Sequence, residues 1–558
     1  MKKTVVAISI IMFWANPLVA AEYYVAPNGK DSSPGTSSSP WASIAKANTA
    51  LQPGDTVYIK GGEYREVIKP GKSGQPGKYI TYKAAPGETP VITDSPGNIA
   101  INLDNRSYIR VDGMKADGKA LADNANLKRW VTLRNANYNI IENSDFKYAT
   151  GWSCVAISDG SHHNQIRNNR MDFCGAYSSY RASDNTYQDS GDLIDLKEGS
   201  PNNLIEGNHL THGGHNLITF DSSFNIIRNN YLNNDWSDVE GAGKGNRCME
   251  IRAQDGIRGF NVVEGNILTG TGKPVDKDNP PPAIKVEGNN QIIRKNFIIN
   301  NELVAVRTLA WTNNPYSRDN KIYNNIMYNN GGGAWLLRHT ADQGSIEADY
   351  NIFKNNIAFN NKQNPGGSSF NYDINIDLNV GDSLKNNRVI SNSIFGSDGK
   401  SIIKVKGIST ESVQWYQSNY PNNYSGNIEE NPQFVSSNPG EPEEFRLKSS
   451  SRLIDAGDYL TKTKDSGTNG VTVGLEDAGY FTDGFGLIEG DLVQIGTNTP
   501  VRIQKVDYSG NRITLQKPIT WRSGDAVSLP YSGSRPDIGA YEFGNAVATA
   551  PPSPPTFQ

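Results

Sequence analysis

Acidic and basic residues recur at matched offsets along the middle of this 558-residue chain. Each stands beside an apolar residue in a short β-prone run. The apolar series is Leu133, Ile157, Leu196, Phe220, Ile251, Val286, Val306 and Leu337. The residues that follow it are Arg134, Ser158, Lys197, Asp221, Arg252, Glu287, Arg307 and Arg338. Those that precede it are Thr132, Ala156, Asp195, Thr219, Glu250, Lys285, Ala305 and Leu336. Side chains alternate faces along a strand, so the apolar series points inward and both flanking series point outward. If the runs stack as parallel strands about 4.8 Å apart, outward charges on successive runs come within ion-bridging reach. A face of this kind could neutralise an acidic substrate and move a proton. The competing reading is a solvated ladder of ion pairs, each contributing about 0–1 kcal/mol.

A histidine cluster adjoins this face. Three of the six histidines lie in His209-Leu-Thr-His212-Gly-Gly-His215. Gly213 and Gly214 permit a tight turn, and His215 then emerges at the edge of the run carrying Asp195 and Lys197. It could act as an acid or base or contact a substrate carboxylate. It could equally be a turn residue bonded to backbone. Trp152, Tyr177, Tyr180, Tyr187, Trp236, Trp311 and Tyr316 fall in or near insertions at about 174–191, 232–248, 270–282 and 309–319. Aromatic rings pack on the C–H faces of sugars, and long loops on a rigid scaffold are where binding residues concentrate. Trp236 and Trp311 are the candidate stacking residues.

The elements that must position these groups are written in a repeated phrase. It begins at Asn139, Asn164, Asn203, Asn225, Asn261, Gln291, Asn320, Asn351 and Asn387, at intervals of 22 to 39 residues. A typical copy is Asn225-Ile-Ile-Arg-Asn229. Self-similarity at this period signals a stacked solenoid. The copies are short, β-branched and bounded by Asn or Gly, so the unit is built from strands. The expectation is an all-β parallel β-helix. Its core grows by adding coils, which lets one chain of this length fold around one axis. The 55 glycines and the frequent asparagines suit the many tight turns.

Residues 1–21 read as a secretory signal, with Lys2-Lys3, an apolar run from Val5 to Trp14 and small residues at Val19-Ala20-Ala21. No later apolar run reaches membrane-spanning length. The chain is therefore expected to be exported, with no membrane span, and to act as a monomer. The net charge of −4 and the lack of a basic block argue against nucleic acid as partner. Cys154, Cys174 and Cys248 do not make a disulfide framework. They are read as buried thiols, or a stacked or paired Cys154 and Cys174, and no zinc motif appears.

Pro40 to Leu51 has helical spacing, with Ile44, Ala47 and Leu51 on one face, and is expected to cap the open end of the solenoid. Ala26-Pro-Asn-Gly29, Pro40-Trp41, Leu51-Gln-Pro-Gly-Asp-Thr-Val-Tyr-Ile59 and Gly62-Glu-Tyr64 resemble the N-terminus of secreted bacterial proteins with the pectin-lyase-like right-handed β-helix. Leu453-Ile-Asp-Ala-Gly457 and Pro536-Asp-Ile-Gly-Ala-Tyr-Glu-Phe-Gly544 resemble the closing motif of the same group. The resemblance implies a right-handed helix over most of the mature chain. It does not fix the activity, because the group holds lyases, hydrolases, epimerases and noncatalytic proteins. On this reading, 22–457 is the β-helix, with a cap region at 22–115 and coils at 116–457. Residues 458–535 are an inserted antiparallel β module, with a hairpin turn at Asp507-Tyr-Ser-Gly-Asn511. Residues 536–544 close the helix, and 545–558 are a Pro-rich tail.

The leading expectation is a lyase that cleaves an acidic polysaccharide by β-elimination. A uronate carboxylate must be neutralised so that the adjacent C–H becomes acidic, and a base must take that proton. In resembling families Ca²⁺ held by carboxylates, or an Arg, does the first task. Asp195, Asp221, Glu250 and Glu287 are the candidate Ca²⁺ ligands. Lys197, Lys285 or His215 is the candidate base. Arg252 or Arg307 would grip the carboxylate, with Arg338 extending the binding face. Lys285 and Arg307, one coil apart, are similar to the Lys/Arg arrangement of the chondroitinase B and alginate lyase group. That group's carboxylate run before the Lys is missing, as is the Asp-Asp-Gly-Trp-Asp style motif of calcium pectate lyases. The alternatives are a glycoside hydrolase, for which Asp192, Asp195, His215 and Arg252 loosely follow the polygalacturonase order, and a noncatalytic glycan-binding β-helix.

Overall fold

The computed structural model describes residues 20–93, 99–118, 129–149, 151, 153–175, 191–235, 247–252, 259–271, 282–310, 316–339, 348–361, 372–377, 386–396, 403–405 and 410–544. Among these residues three long sheets run in chain order. The first has fourteen strands, from Glu22–Val25 to Tyr424–Ser425. The second has twelve, from Gly62–Tyr64 to Ser393–Phe395. The third also has twelve and begins at Ile99–Asn102. Its pairings are parallel except at the last, where Ile403–Val405 meets Thr410–Glu411 antiparallel. Each complete coil gives one strand to each sheet; one such coil is Leu204–Glu206, His209–Thr211 and Asn216–Phe220. This is the parallel β-helix that the repeated phrase predicts.

The three-residue strands explain the phrase. Their central residues stack in register, as Ile205, Ile227, Val263, Ile293, Ile322 and Phe353 do. All six are fully buried in one continuous core. The asparagines that open the phrase form a ladder inside the wall. Asn139 Nδ2 donates to Asn164 Oδ1 at 3.0 Å, and Asn164 Nδ2 donates to Asn203 Oδ1 at 3.0 Å. A second ladder runs through Asn208, Asn230, Asn266, Asn296, Asn325, Asn356 and Asn392. Each amide also satisfies a backbone group of a neighbouring coil, which a buried turn requires.

Between the first and second sheets every coil bends through one residue with positive φ. That column reads Gly113, Asn143, Asn168, Gly207, Asn229, Gly265, Lys295, Asn324, Asn355, Ser391 and Gly426. Gly and Asn tolerate this conformation best.

The helix Ile44–Ala50 is capped by Ser43, whose hydroxyl accepts from the Lys46 N–H, and it seats Ile44 and Ala47 in the core at the N-terminal end. A second helix, Val413–Asn419, seats Val413 and Tyr416 in the same core near the last coils. Residues 461–528 form a six-stranded antiparallel sheet. Its hairpin pairs Val501–Asp507 with Arg512–Trp521 and turns at Asp507 and Arg512. The module packs on outward residues of the first sheet, including Leu204, Ile226, Val262 and Ile292. Leu453, Ile538 and Tyr541 pack on outward residues of the second sheet, including Ile267, Phe297 and Ile326. The three cysteines are free and buried. No described helix is long and apolar enough to cross a membrane.

Candidate functional site

The C-terminal segments thus cover the outer faces of the first and second sheets. The outer face of the third sheet carries the charges. One outward column runs Ala156, Asp195, Thr219, Glu250, Lys285, Arg307 and Leu336. A second runs through Arg252, Glu287, Leu309 and Arg338, with Asp221 directly beyond Phe220, the register partner of Ile251. The expected alignment fails at one coil. Val306 pairs with Ile284 rather than with Val286, so Arg307 joins the column of Glu250 and Lys285. Thr308 takes the inward position, where its hydroxyl accepts from Trp335 Nε1 at 3.0 Å. A displacement of two residues preserves which side chains face inward, so the pattern alone did not reveal it.

Glu250 is the hub. It is fully buried, yet its carboxylate meets several donors. Oε1 accepts from Lys285 Nζ at 2.7 Å. Oε2 accepts from Arg252 Nη2 at 3.0 Å and from Asn216 Nδ2 at 3.0 Å. Arg247 Nη1 lies 3.6 Å and His215 Nε2 3.9 Å from the same oxygen. Burial alone would raise the Glu250 carboxyl, but Lys285, Arg247 and Arg252 outweigh it and hold it well below the usual range. Arg252 is in turn raised, against the effect of its burial, by Glu250 and Asp221. Lys285 also pairs with Glu287, so its ammonium bridges two carboxylates.

His215 is set beside this hub by its glycines. A Cβ on Gly214 would lie 2.8 Å from the Gly175 carbonyl oxygen, and one on Gly213 would lie 2.5 Å from that of Asn216. The bare backbone lets the chain pass close to the coil below, where the His215 N–H donates to Gly191 O at 2.7 Å. Arg247 Nη1 is 3.1 Å from His215 Nε2. A guanidinium only donates, so Nε2 is the unprotonated nitrogen. Nδ1, 3.2 Å from Asp192 Oδ1, then carries the proton. Asn216 Nδ2 lies 2.8 Å from Nδ1 but directs its two hydrogens to Glu250 and to Thr219 Oγ1, the latter at 2.8 Å. The result is an imidazole backed by a carboxylate at Nδ1, whose Nε2 faces a guanidinium. Arg247 is a cation like several of the other candidates but does not share their spacing. It escaped notice because it opens its strand, three residues before Glu250, outside both flanking series.

A second group lies at the other end of these strands. Lys197 Nζ is 2.8 Å from Asp195 Oδ2. Asp195 is pushed up by burial and by Asp192, with Lys197 opposing. Burial pushes the Asp221 carboxyl up to about 6, although Arg252 and Lys197 pull the other way. Asp195 Oδ1 and Asp221 Oδ1 are both buried without a hydrogen-bond partner. Arg307 is 1% exposed, and burial, with the cationic Arg247 next, lowers it to about 9.

A family model described as the Pel9A-like, right-handed β-helix region matches residues 23–339. The chain belongs to this family. Pectate lyase L of Dickeya chrysanthemi is 24% identical over 281 residues, which are 48% of this chain and 64% of that protein. The uncharacterized protein YwoF of Bacillus subtilis is 38% identical over 80 residues, 14% of this chain and 17% of that protein. The chain thus spans less than two thirds of the length of either relative. The crystal structure of pectate lyase Pel9A aligns with a TM-score of 0.45 at 15% identity, over 94% of this chain and 96% of that one.

Within this Pel9A-like helix the expected residues separate. His215, Glu250, Arg252 and Lys285 meet around one carboxylate, while Asp195, Lys197 and Asp221 form the neighbouring group. Arg307 lies beneath the surface, and Arg338 stands two coils beyond Glu287. Trp236 and Trp311, with Trp152, Tyr177, Tyr180 and Tyr187, lie outside the described residues. The four-carboxylate calcium set does not fit. Glu250 and Glu287 are ion-paired to Lys285, and Glu250 to Arg252 as well. Among the described residues no three His, Cys, Asp or Glu side chains are grouped to hold a metal. Asp195 and Asp221, like Asp145, each keep a buried carboxylate oxygen without a hydrogen-bond partner.

Proposed function

We propose that this Pel9A-like chain is an exported polysaccharide lyase that cleaves a uronate-containing glycan by β-elimination. The observation that carries the reading is the His215–Arg247 pair, an acceptor nitrogen and a guanidinium nitrogen 3.1 Å apart on the outer face of the third sheet. Arg247 would leave Nε2 for the substrate carboxylate and draw off its negative charge. That step acidifies the neighbouring C–H and frees the Nε2 lone pair to take its proton. Asp192 at Nδ1 then stabilises the imidazolium. Electrons from the broken C–H bond form the C=C bond, and the glycosidic oxygen departs and takes a proton from solvent. Glu250, fixed by Lys285 and Arg252, holds Arg247 in place. Lys197 and Arg252 would bind the carboxylate of an adjoining sugar.

The test is digestion of polygalacturonate and alginate, followed by ultraviolet absorbance of the conjugated unsaturated product. Growth of that absorbance, lost in His215→Gln, supports the proposal. New reducing ends without it refute the proposal. A second reading, a glycoside hydrolase, draws on Asp221, whose carboxyl at about 6 suits a general acid next to the ionisable Asp195.

A further inference from the structure

We propose that the cavity between the bend after the first sheet and the C-terminal β module binds a sugar acid, with the Lys295 ammonium anchoring its carboxylate. This site lies on a different face from the third-sheet cluster and does not depend on the lyase reading.

The cavity has a volume of ≈ 480 Å³ and is walled by both the helix and the module. Small-molecule sites commonly span about 300–1,000 Å³. Three arginines on its wall are already paired. Arg228 meets Glu206 at 2.5 Å, and Arg502 meets Glu489 at 3.0 Å. Arg294 meets Asp491 at 2.6 Å and Glu264 at 2.7 Å. The Lys295 side chain also lines the cavity, and it makes no ion pair or hydrogen bond with the described residues. Burial, with the adjacent Arg294, pushes its ammonium down, although Glu264, Asp491 and Glu542 pull the other way. Glu542 is one of the three carboxyls that act on it. It accepts from the Asp537 and Ser532 backbone N–H groups at 3.1 and 3.3 Å. Burial and the nearby Asp537 push it up to about 8, so near neutrality it is protonated. The wall's charges balance, since Arg228, Arg294, Arg502 and Lys295 face Glu206, Glu264, Glu489 and Asp491, but among the described residues Lys295 is the one of these four cations without a contact ion pair.

Lys295 is also the residue that departs from its column. Every other bend residue in the stack from Gly113 to Gly426 is Gly, Asn or Ser, while Lys295 holds φ at 55°. A long side chain is uncommon in this conformation, although other bends of the helix seat Tyr148, Phe173 and His212 in it. Such conformations persist where the surroundings fix them and gather at ligand sites. The rest of the wall selects the ligand. Glu264, Glu489 and Asp491 offer acceptors for hydroxyls and would repel a multivalent anion such as phosphate, while Phe297 and Tyr541 offer apolar surface for a ring. A hydroxylated ring with a single carboxylate satisfies all three features.

The experiment is calorimetric titration of the full chain and of Lys295→Asn with D-galacturonate, D-galactose and inorganic phosphate. Asn is the residue that neighbouring coils use at this position, so the variant should keep its fold, checked by an unchanged or higher Tm. The expected result is saturable galacturonate binding, weakened at least about tenfold in Lys295→Asn, with galactose and phosphate at least about tenfold weaker in the parent. Absence of saturable galacturonate binding, equal affinity in the variant, or equal binding of galactose or phosphate would overturn the proposal. A trigalacturonate that competes would assign the cavity to a chain end. One that does not would assign it to the free sugar acid. Both support the site.

Discussion

Replacing Asp221 by Asn should stabilise the protein, and only above mildly acidic pH. Burial raises the Asp221 carboxyl from its ordinary 3.8 to about 6 in the folded chain. The folded state therefore holds this proton more tightly than the unfolded state. As pH rises from 3.8 towards 6, the unfolded chain ionises first and folding loses stability. Above about pH 6 the penalty is constant. Each pH unit between the two values is worth about 1.4 kcal/mol, so the interval amounts to about 3 kcal/mol. The Asn isostere never ionises and escapes the penalty. Denaturant midpoints of parent and Asp221→Asn, taken with EDTA present, should differ by about 3 kcal/mol at about pH 8 and converge at about pH 4. A variant less stable at both pH values would refute the assigned environment, as would a gain independent of pH. If calcium erases the difference at about pH 8, the buried Asp195 and Asp221 oxygens are taking up the cation, and the ion-free description of this group would be wrong.

Glu250→Gln should destabilise by about 3–5 kcal/mol near neutrality, because it leaves Lys285, Arg252 and Arg247 without their shared counter-charge. The folded Glu250 carboxyl lies below its ordinary 4.5, so the parent's advantage should be full above that pH and shrink as the solution is acidified further. His215→Gln should lower kcat by about 10²–10⁴-fold with the fold intact. Arg247→Ala should raise KM as well, since it removes the proposed carboxylate contact, whereas a purely structural arginine would change Tm first. Asn266→Ala should cost about 1–3 kcal/mol, because the buried Asn230 N–H and amide lose the oxygen they meet at 3.0 and 2.9 Å. Chemical denaturation measures that loss.

The coil architecture was legible because its physics is local and repeated. Asn at the ladder, a β-branched centre and Asn or Gly at the bend each have one reason to be there, and the reason recurs every coil. The helix Ile44–Ala50 and the hairpin at Asp507 repeat nothing and were readable from strong local signals instead, the helical spacing of Ile44, Ala47 and Leu51 and the turn residues Asp507 to Asn511. Val413–Asn419 was not, because only Val413 and Tyr416 of its seven residues are buried, too few to mark a helical face. At the site, alternation identified which residues face outward but not how far each strand slides. Arg307 was therefore set beside Glu287 instead of Lys285. Ion pairing was less visible still. The sequence offered Glu250 and Glu287 as metal ligands, and only three-dimensional contact assigns them to Lys285 and Arg252. Lys295 passed as part of one more repeat, since nothing in the phrase reveals the cavity above it.

In the proposed reaction His215 removes a carbon-bound proton and the glycan breaks without consuming water. Digestion of polygalacturonate or alginate in water enriched in heavy oxygen tests it most directly. Mass spectra of the fragments should show unsaturated ends and no heavy oxygen, with both the cleavage and the unsaturation lost in His215→Gln. One heavy oxygen per cleaved bond would contradict the account and give the reaction to a hydrolase built on Asp221.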